Sequence, residues 1–267
     1  MKLIRFVDKE GRERCGRLTT DGEEVEVLWG PTLLERPMVT GEVMRADAIG
    51  RYLWPVDSPN VVAIGQNYRE HAREMGKEAP AEPKIFLKAT TCLNGHEGEI
   101  RLPKAAPEAV DWEAELVVVL GREARDVREE EVDEYVLGYT CGNDVTARDC
   151  QKRDEQWARA KSYDTFGPMG PWVETELTAD AAGDLAIRSV LNGEVMQESR
   201  TGDMIFSVRR LVSYVSRMMT LRAGTAIYTG TPPGIGMARQ PAVFLRDGDE
   251  IAVEIEGIGR LVNRVVG

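Results

Sequence analysis

The 267-residue chain is 42% hydrophobic and 30% charged with a formal charge of −11, long and apolar enough to bury a substantial core. That acidity excludes the concentrated Lys and Arg that nucleic acid or an anionic membrane surface requires, so neither is expected as a partner. An anionic small molecule would need a local cation, either basic side chains or a metal, to overcome the same field.

The N-terminal stretch MKLIRFVDKEGRER lacks the long apolar region of a signal peptide. No run approaches the roughly 18 apolar residues of a membrane span, so a cytoplasmic location is expected. Cys15, Cys92, Cys141 and Cys150 form no CxxC pair and are expected to be reduced and structural.

In chain order, KLIRFV, RCGRL and EVEVLW alternate around Gly-containing turns and predict a small β-rich module. WPVDSPN (54–60) concentrates turn formers and predicts a connector, which divides the chain into an N-terminal domain (1–55) and a main domain (56–267). VVAIG predicts a buried strand, NYREHAREMG a short helix ended by Gly76, and KIFLKA a strand. DWEAELVVVLG and VLGYTCGND are further strands, separated by an acidic turn or helix. TARDCQKRDEQWARAK has helical composition, GPMGPWV opens a strand, LAIRSVLNGEVMQ reads as a hairpin, and IFSVRRLVSYVSRMM is the best amphipathic helix. Strands and turns alternate to the C-terminus. The main domain is thus strand-dominated, without the regular βαβ alternation of a doubly wound fold.

The stretch DWEAELVVVL places Asp111, Glu113 and Glu115 at alternate positions beside a buried apolar run. Residues two apart share a strand face about 6 to 7 Å apart. A solvated edge strand is one reading. Burial beside LVVVL favours another, because clustered carboxylates repel one another unless a cation or protons intervene. Asp144 follows Gly138, Thr140 and Gly142 on one strand face, where small residues leave room beside the acid. Glu113, Glu115 and Asp144 would therefore offer a hard divalent ion such as Mg²⁺ three oxygen ligands and an open face. Asp144 also reads as an N-cap for a helix near Thr146. Only two histidines occur. His71 has Glu74 three residues on, where a helix would let the carboxylate orient the imidazole, while His96 has no such partner. Lys161 sits where a predicted helix gives way to a loop, a position also favoured by the helix dipole.

GQNYREHARE, FLKATT, DWEAELVVVLG, GYTCGNDVTARDCQ, AKSYDTFGPMGP, LNGEVMQ and TGTPPGIG, in that order, resemble the fumarylacetoacetate hydrolase family. The resemblance implies a β-rich α+β fold, a roll of mixed β-sheet with a few helices, preceded here by the small N-terminal β module some members carry. It also implies a homodimer and a Mg²⁺ or Mn²⁺ ion. By motif it makes Glu113, Glu115 and Asp144 metal ligands, His71 and Glu74 a water-activating dyad, and Lys161 the site lysine. Gln151, Thr231 and Lys88 become substrate-binding. Ala89 stands where the family often has Pro, NGHEGE replaces a Gly-rich turn, and Thr225 stands where Asp is common.

The implied reaction is metal-dependent C–C hydrolysis of acylpyruvate-like 2-oxo acids, such as fumarylpyruvate or fumarylacetoacetate-type substrates, with the ion and Lys161 stabilising an enolate. The same electron sink without water attack would support an isomerase or decarboxylase of 2-oxo or 2-hydroxymuconate-type dioic acids, as in aromatic catabolism. A metal-binding regulatory protein of this fold is the non-enzyme alternative, against which His71, Glu74 and Lys161 together argue. No GxSxG elbow is present.

Overall fold

The computed structural model describes residues 1–30, 32–34 and 38–267. The N-terminal alternation becomes β1 (Lys2–Asp8), β2 (Glu13–Leu18), β3 (Glu24–Leu28), β4 (Val39–Arg45) and β5 (Ile49–Tyr52). Residues 54–60 form no regular element. After them come β6 (Val61–Gly65), the helix α1 (Arg69–Glu74), β7 (Lys84–Lys88), β8 (Leu93–Asn94) and β9 (Glu99–Arg101). The acidic stretch divides into β10 (Val110–Asp111) and β11 (Ala114–Leu120), followed by β12 (Val136–Asn143), β13 (Thr146–Ala147), α2 (Arg148–Asp154) and β14 (Gly167–Glu174). The remainder is β15 (Ala186–Leu191), β16 (Glu194–Arg200), α3 (Val208–Met218), β17 (Ala226–Tyr228), β18 (Glu250–Ile255) and β19 (Gly259–Val266).

A mixed sheet runs β4-β3-β2-β1-β14-β12-β11-β17-β6-β7, and a second runs β16-β15-β18-β19-β9. The N-terminal strands join the first sheet directly, with Lys2 of β1 opposite Glu174 of β14. At the centre, β11 is buried along its whole length. Its side chains alternate between two cores. Leu116, Val118 and Leu120 pack with Leu211, Val215 and Ile227, whereas Val117 and Val119 pack with Val61, Ala63 and Tyr228. Period-two geometry puts Glu115 on the Val117 face, so the acid enters the second core by register.

The amphipathic segment forms α3, capped by Ser207, whose side chain accepts from the Arg210 N–H, and it buries Val208, Leu211, Val212 and Val215 at helical spacing. The LNGEVMQ hairpin turns at Asn192 and Gly193, both with positive φ, as a two-residue hairpin loop needs. The helix expected in TARDCQKRDEQWARAK is shorter than its composition suggests. It ends where Glu155 adopts φ +59°, and Trp157 turns back against Phe86, ring centroids 5.3 Å apart. Among the described residues no helix is long and apolar enough to cross a membrane.

Candidate active site

The site forms where β11 and β12 pair, with Ala114 opposite Asn143 and Glu115 opposite Gly142. This register brings Asp144, just past β12, to the two glutamates. Carboxylate oxygens of Glu113, Glu115 and Asp144 lie within 4.8 Å of one another, all three residues buried. Asp111 does not join them. The strand breaks at Trp112 and Glu113, and Asp111 instead accepts from the backbone N–H groups of Trp112, Gly236 and Met237 and from Arg148 Nε at 2.8 Å.

Asp144 is not an N-cap either, since α2 starts at Arg148 with no side-chain cap. Its Oδ1 accepts from Lys88 Nζ and its Oδ2 from Lys161 Nζ, each at 2.5 Å. Lys161 also donates to Glu113 Oε2 and Thr146 Oγ1, both at 2.9 Å. The room expected beside Gly142 is filled by protein: a Cβ there would lie 2.4 Å from Val117 and 2.7 Å from the Tyr228 ring. Gly142 thus admits core side chains and opens no space for an ion. Gly230 serves the site more directly. At φ +103° it turns its N–H onto Glu115 Oε2 at 2.7 Å, a conformation costly for a residue with a Cβ.

Electrostatically the cluster is uneven. Burial alone would raise Glu113, but Lys161, Arg148 and His71 outweigh it and hold its carboxyl down at about 2. Burial, then the negative charges of Asp144 and Glu113, push Glu115 well above the usual carboxylate range. For Lys161 the burial penalty is overcome by Asp144 and Glu113, which raise the amine. Among the described residues Glu115 has no cationic partner. Three clustered carboxylates, one of them uncompensated, suit a hard divalent cation with oxygen ligands. The arrangement fits a divalent metal ion.

Beside this cluster lies a cavity of about 550 Å³, whose lining includes His71, Glu113, Arg148, Gln151, Lys161 and Thr231. His71 Nδ1 and Glu74 Oε2 are 3.1 Å apart, and Glu74 Oε1 accepts from the Gly234 N–H at 2.8 Å. The pair expected on α1 therefore forms, and Glu74 ties it to the TPPG turn. Gln151 Oε1 accepts from Arg148 Nη1 at 3.0 Å, and Thr231 Oγ1 accepts from Gln197 Nε2 at 2.7 Å. Lys88 lies behind the carboxylates, bonded to Asp144 and the Phe166 carbonyl, and is not part of the cavity wall. His96 is elsewhere, accepting from the Val262 N–H and meeting Tyr52 edge-on.

Two residues join the site that sequence reasoning does not single out. Arg148 bridges Asp111 and Glu113 and lines the cavity, while its Nη2 is buried without a partner. Gln197 binds the Ala114 N–H through its carbonyl and Thr231 and the Pro232 carbonyl through its amide nitrogen. Their signal was present in TARD and LNGEVMQ, but Arg148 meets Asp111 across 37 residues and Gln197 meets Thr231 and Ala114 across 34 and 83.

Residues 60–266 match the family model for fumarylacetoacetate (FAA) hydrolase C-terminal. The chain belongs to the fumarylacetoacetate hydrolase family. It is 42% identical over 217 residues to the mitochondrial oxaloacetate tautomerase Fahd2a of Rattus norvegicus, covering 80% of this chain and 69% of the relative. A solved structure of 5-carboxymethyl-2-hydroxymuconate delta-isomerase from Mycobacterium smegmatis superposes with TM-score 0.88 at 39% identity, over 100% of this chain and 99% of that one. The fumarylacetoacetate hydrolase of psychrophilic Exiguobacterium antarcticum superposes with TM-score 0.90 at 36% identity, with the same coverages. Family membership makes the chain an enzyme of this family with its sheet-rich fold.

Proposed function

We propose that the protein is a metal-dependent isomerase or tautomerase that moves a proton along a 2-oxo acid through an enolate. One observation carries this reading: His71, Lys161 and Arg148 line a single cavity, pairing one proton-transfer group with two cations. A divalent ion held by Glu113, Glu115 and Asp144 would supply Lewis-acid polarisation of the 2-oxo group.

The chain's own residues do the rest. The Glu74 carboxylate holds His71 Nδ1, which leaves Nε2 to take the proton from the carbon beside the 2-oxo group. Charge then develops on the oxygen. Lys161 meets three oxygen acceptors, which match the three protons of an ammonium, so it acts as a fixed cation and not as a base. Arg148 is a second cation on the cavity wall, suited to the substrate carboxylate. Returning the proton from His71 to oxygen or to a more distant carbon completes a tautomerisation or a double-bond shift. Relatives carrying tautomerase and isomerase names support this reading over hydrolysis.

Hydrolysis remains a second reading, favoured by the same His71 and Glu74 dyad, which could deprotonate water for attack on a distal carbonyl. A panel of oxaloacetate, hydroxymuconate-type acids and acylpyruvates, assayed with Mg²⁺ and Mn²⁺ and with chelator, tests the choice. Tautomerisation or isomerisation is expected to be the faster activity, and preferred cleavage of acylpyruvates would replace it with hydrolysis. We further propose a homodimer on the family resemblance, to be checked by light scattering, with a monomer at micromolar concentration as the opposing result.

A further inference from the structure

The cavity wall carries two cations that take no part in the proposed reaction, Lys77 and Lys152. Only eight of the 34 basic residues are lysines, yet three of them, Lys77, Lys152 and Lys161, line this one cavity. With Arg148 they make four cationic side chains against two carboxylates, Glu113 and Asp149. Asp111 and Asp144, just behind the lining, together with Glu113 compensate Arg148 and Lys161, so the charge left without a carboxylate partner is that of Lys77 and Lys152.

The cations differ in depth and in commitment. Lys161 and Arg148 are buried and bonded to the carboxylate cluster. Lys77 and Lys152 are exposed. Among the described residues neither has a carboxylate within ion-pair distance, although Asp149 shares the wall and accepts the Cys150 N–H. Much of the remaining lining is apolar and includes Ile64, Phe86, Trp157, Ile235, Met237 and Phe244. The cavity thus has a charged floor, apolar walls and a cationic mouth.

We propose that Lys77 and Lys152 form a distal subsite that binds the second carboxylate of a dianionic substrate whose 2-oxo acid end meets the floor. This rests on the proposed enolising function and deepens it by assigning the far end of the substrate. Lys77 lies six residues beyond His71, just past Gly76, so the subsite and the proton-transfer group share one segment. Lys152 follows Gln151 on α2. A substrate bridging floor and mouth is therefore gripped by both short helical segments, whereas a monoacid engages the floor alone.

A matched pair of substrates isolates the second carboxylate: 2-oxohexanedioate and 2-oxohexanoate have the same carbon count. Carbon-3 deuterium exchange, followed by NMR with Mg²⁺ present, gives kcat and KM for each. The wild-type protein is expected to favour the dioate through KM. Lys77→Met and Lys152→Met should each raise the dioate KM by up to about fivefold, as loss of an exposed charge pair does, with a smaller effect on the monoacid. The double variant should lose most of the preference, and Lys77→Arg with Lys152→Arg should keep it. Equal effects on both acids, or no wild-type preference, would overturn the subsite. Calorimetric binding of unreactive hexanedioate against hexanoate tests it separately from turnover. If neither 2-oxo acid exchanges but hexanedioate still binds more tightly and loses that advantage in the double variant, the proposed reaction fails and the subsite stands. Equal binding of the two inert acids would count against the subsite whatever the reaction.

Discussion

The two sides of the cavity are built by different means. The inner side is Glu113 and Lys161 on the wall with Glu115 and Asp144 clustered against them at the β11–β12 pair, where each carboxylate accepts at least one hydrogen bond and Lys161 makes three. The outer wall, His71, Gln151, Lys77 and Lys152, sits on or just after helices of six and seven residues. Helices that short owe their stability to packing and not to propensity. A site of this kind builds its charge stabilisation around the sheet, where pre-organisation lowers the barrier most, and places proton transfer and substrate reading on short helical segments.

Removing the ion should disable the inner side completely. Exhaustive chelation is expected to abolish activity and added Mg²⁺ or Mn²⁺ to restore it; full activity in metal-free protein would remove the metal from the mechanism. On the outer wall, His71→Ala should lower turnover and carbon-3 exchange together, by about 10²- to 10⁴-fold as general-base losses do, while calorimetric metal affinity stays near wild type. Exchange that survives while acylpyruvate cleavage falls would assign His71 to water and favour the hydrolase. Glu74→Gln keeps the side-chain shape and removes the charge that orients His71. Its expected cost is about ten- to a hundredfold in kcat, and no change would show that the imidazole is held by other contacts.

The smallest effect is one of pH and concerns Glu115. Its carboxyl is raised in the folded, metal-free protein by burial and by Asp144 and Glu113, so it must shed a proton when an ion binds. Metal affinity should therefore rise with pH throughout the range below this raised value, by at most about tenfold per unit for one linked proton, and level off above it. Without metal the sign for stability is opposite. The folded state holds this proton more tightly than the unfolded chain, so that contribution is complete below the ordinary glutamate value of 4.5 and is lost as pH rises through the raised value. Glu115→Gln should flatten both dependences.

The alternation in DWEAELVVVL made Glu113 and Glu115 legible because strand periodicity is local, and the three-residue spacing of His71 and Glu74 was legible for the same reason. Asp111 fits the same alternation, but the break at Trp112 sends it to Arg148, 37 residues on, a pairing no local pattern encodes. The small face around Gly142 was visible, but its occupant was not. Tyr228 fills it from a strand reached only through the sheet order. Likewise the N-terminal strands were readable one by one, whereas their pairing with β14 depends on an edge formed more than 160 residues later. Side-chain chemistry and period survive in the sequence; the identity of a distant neighbour does not.

The bond from the Gly234 N–H to Glu74 makes one backbone amide a gauge of where α1 stands. While that bond is made, the proton's exchange is slowed and its resonance carries the downfield mark of a carboxylate acceptor. Were Glu74 to release it, the same proton would exchange freely with solvent. Isotope labelling of this single glycine would then report, without any substrate turning over, the fraction of molecules whose His71 is in position.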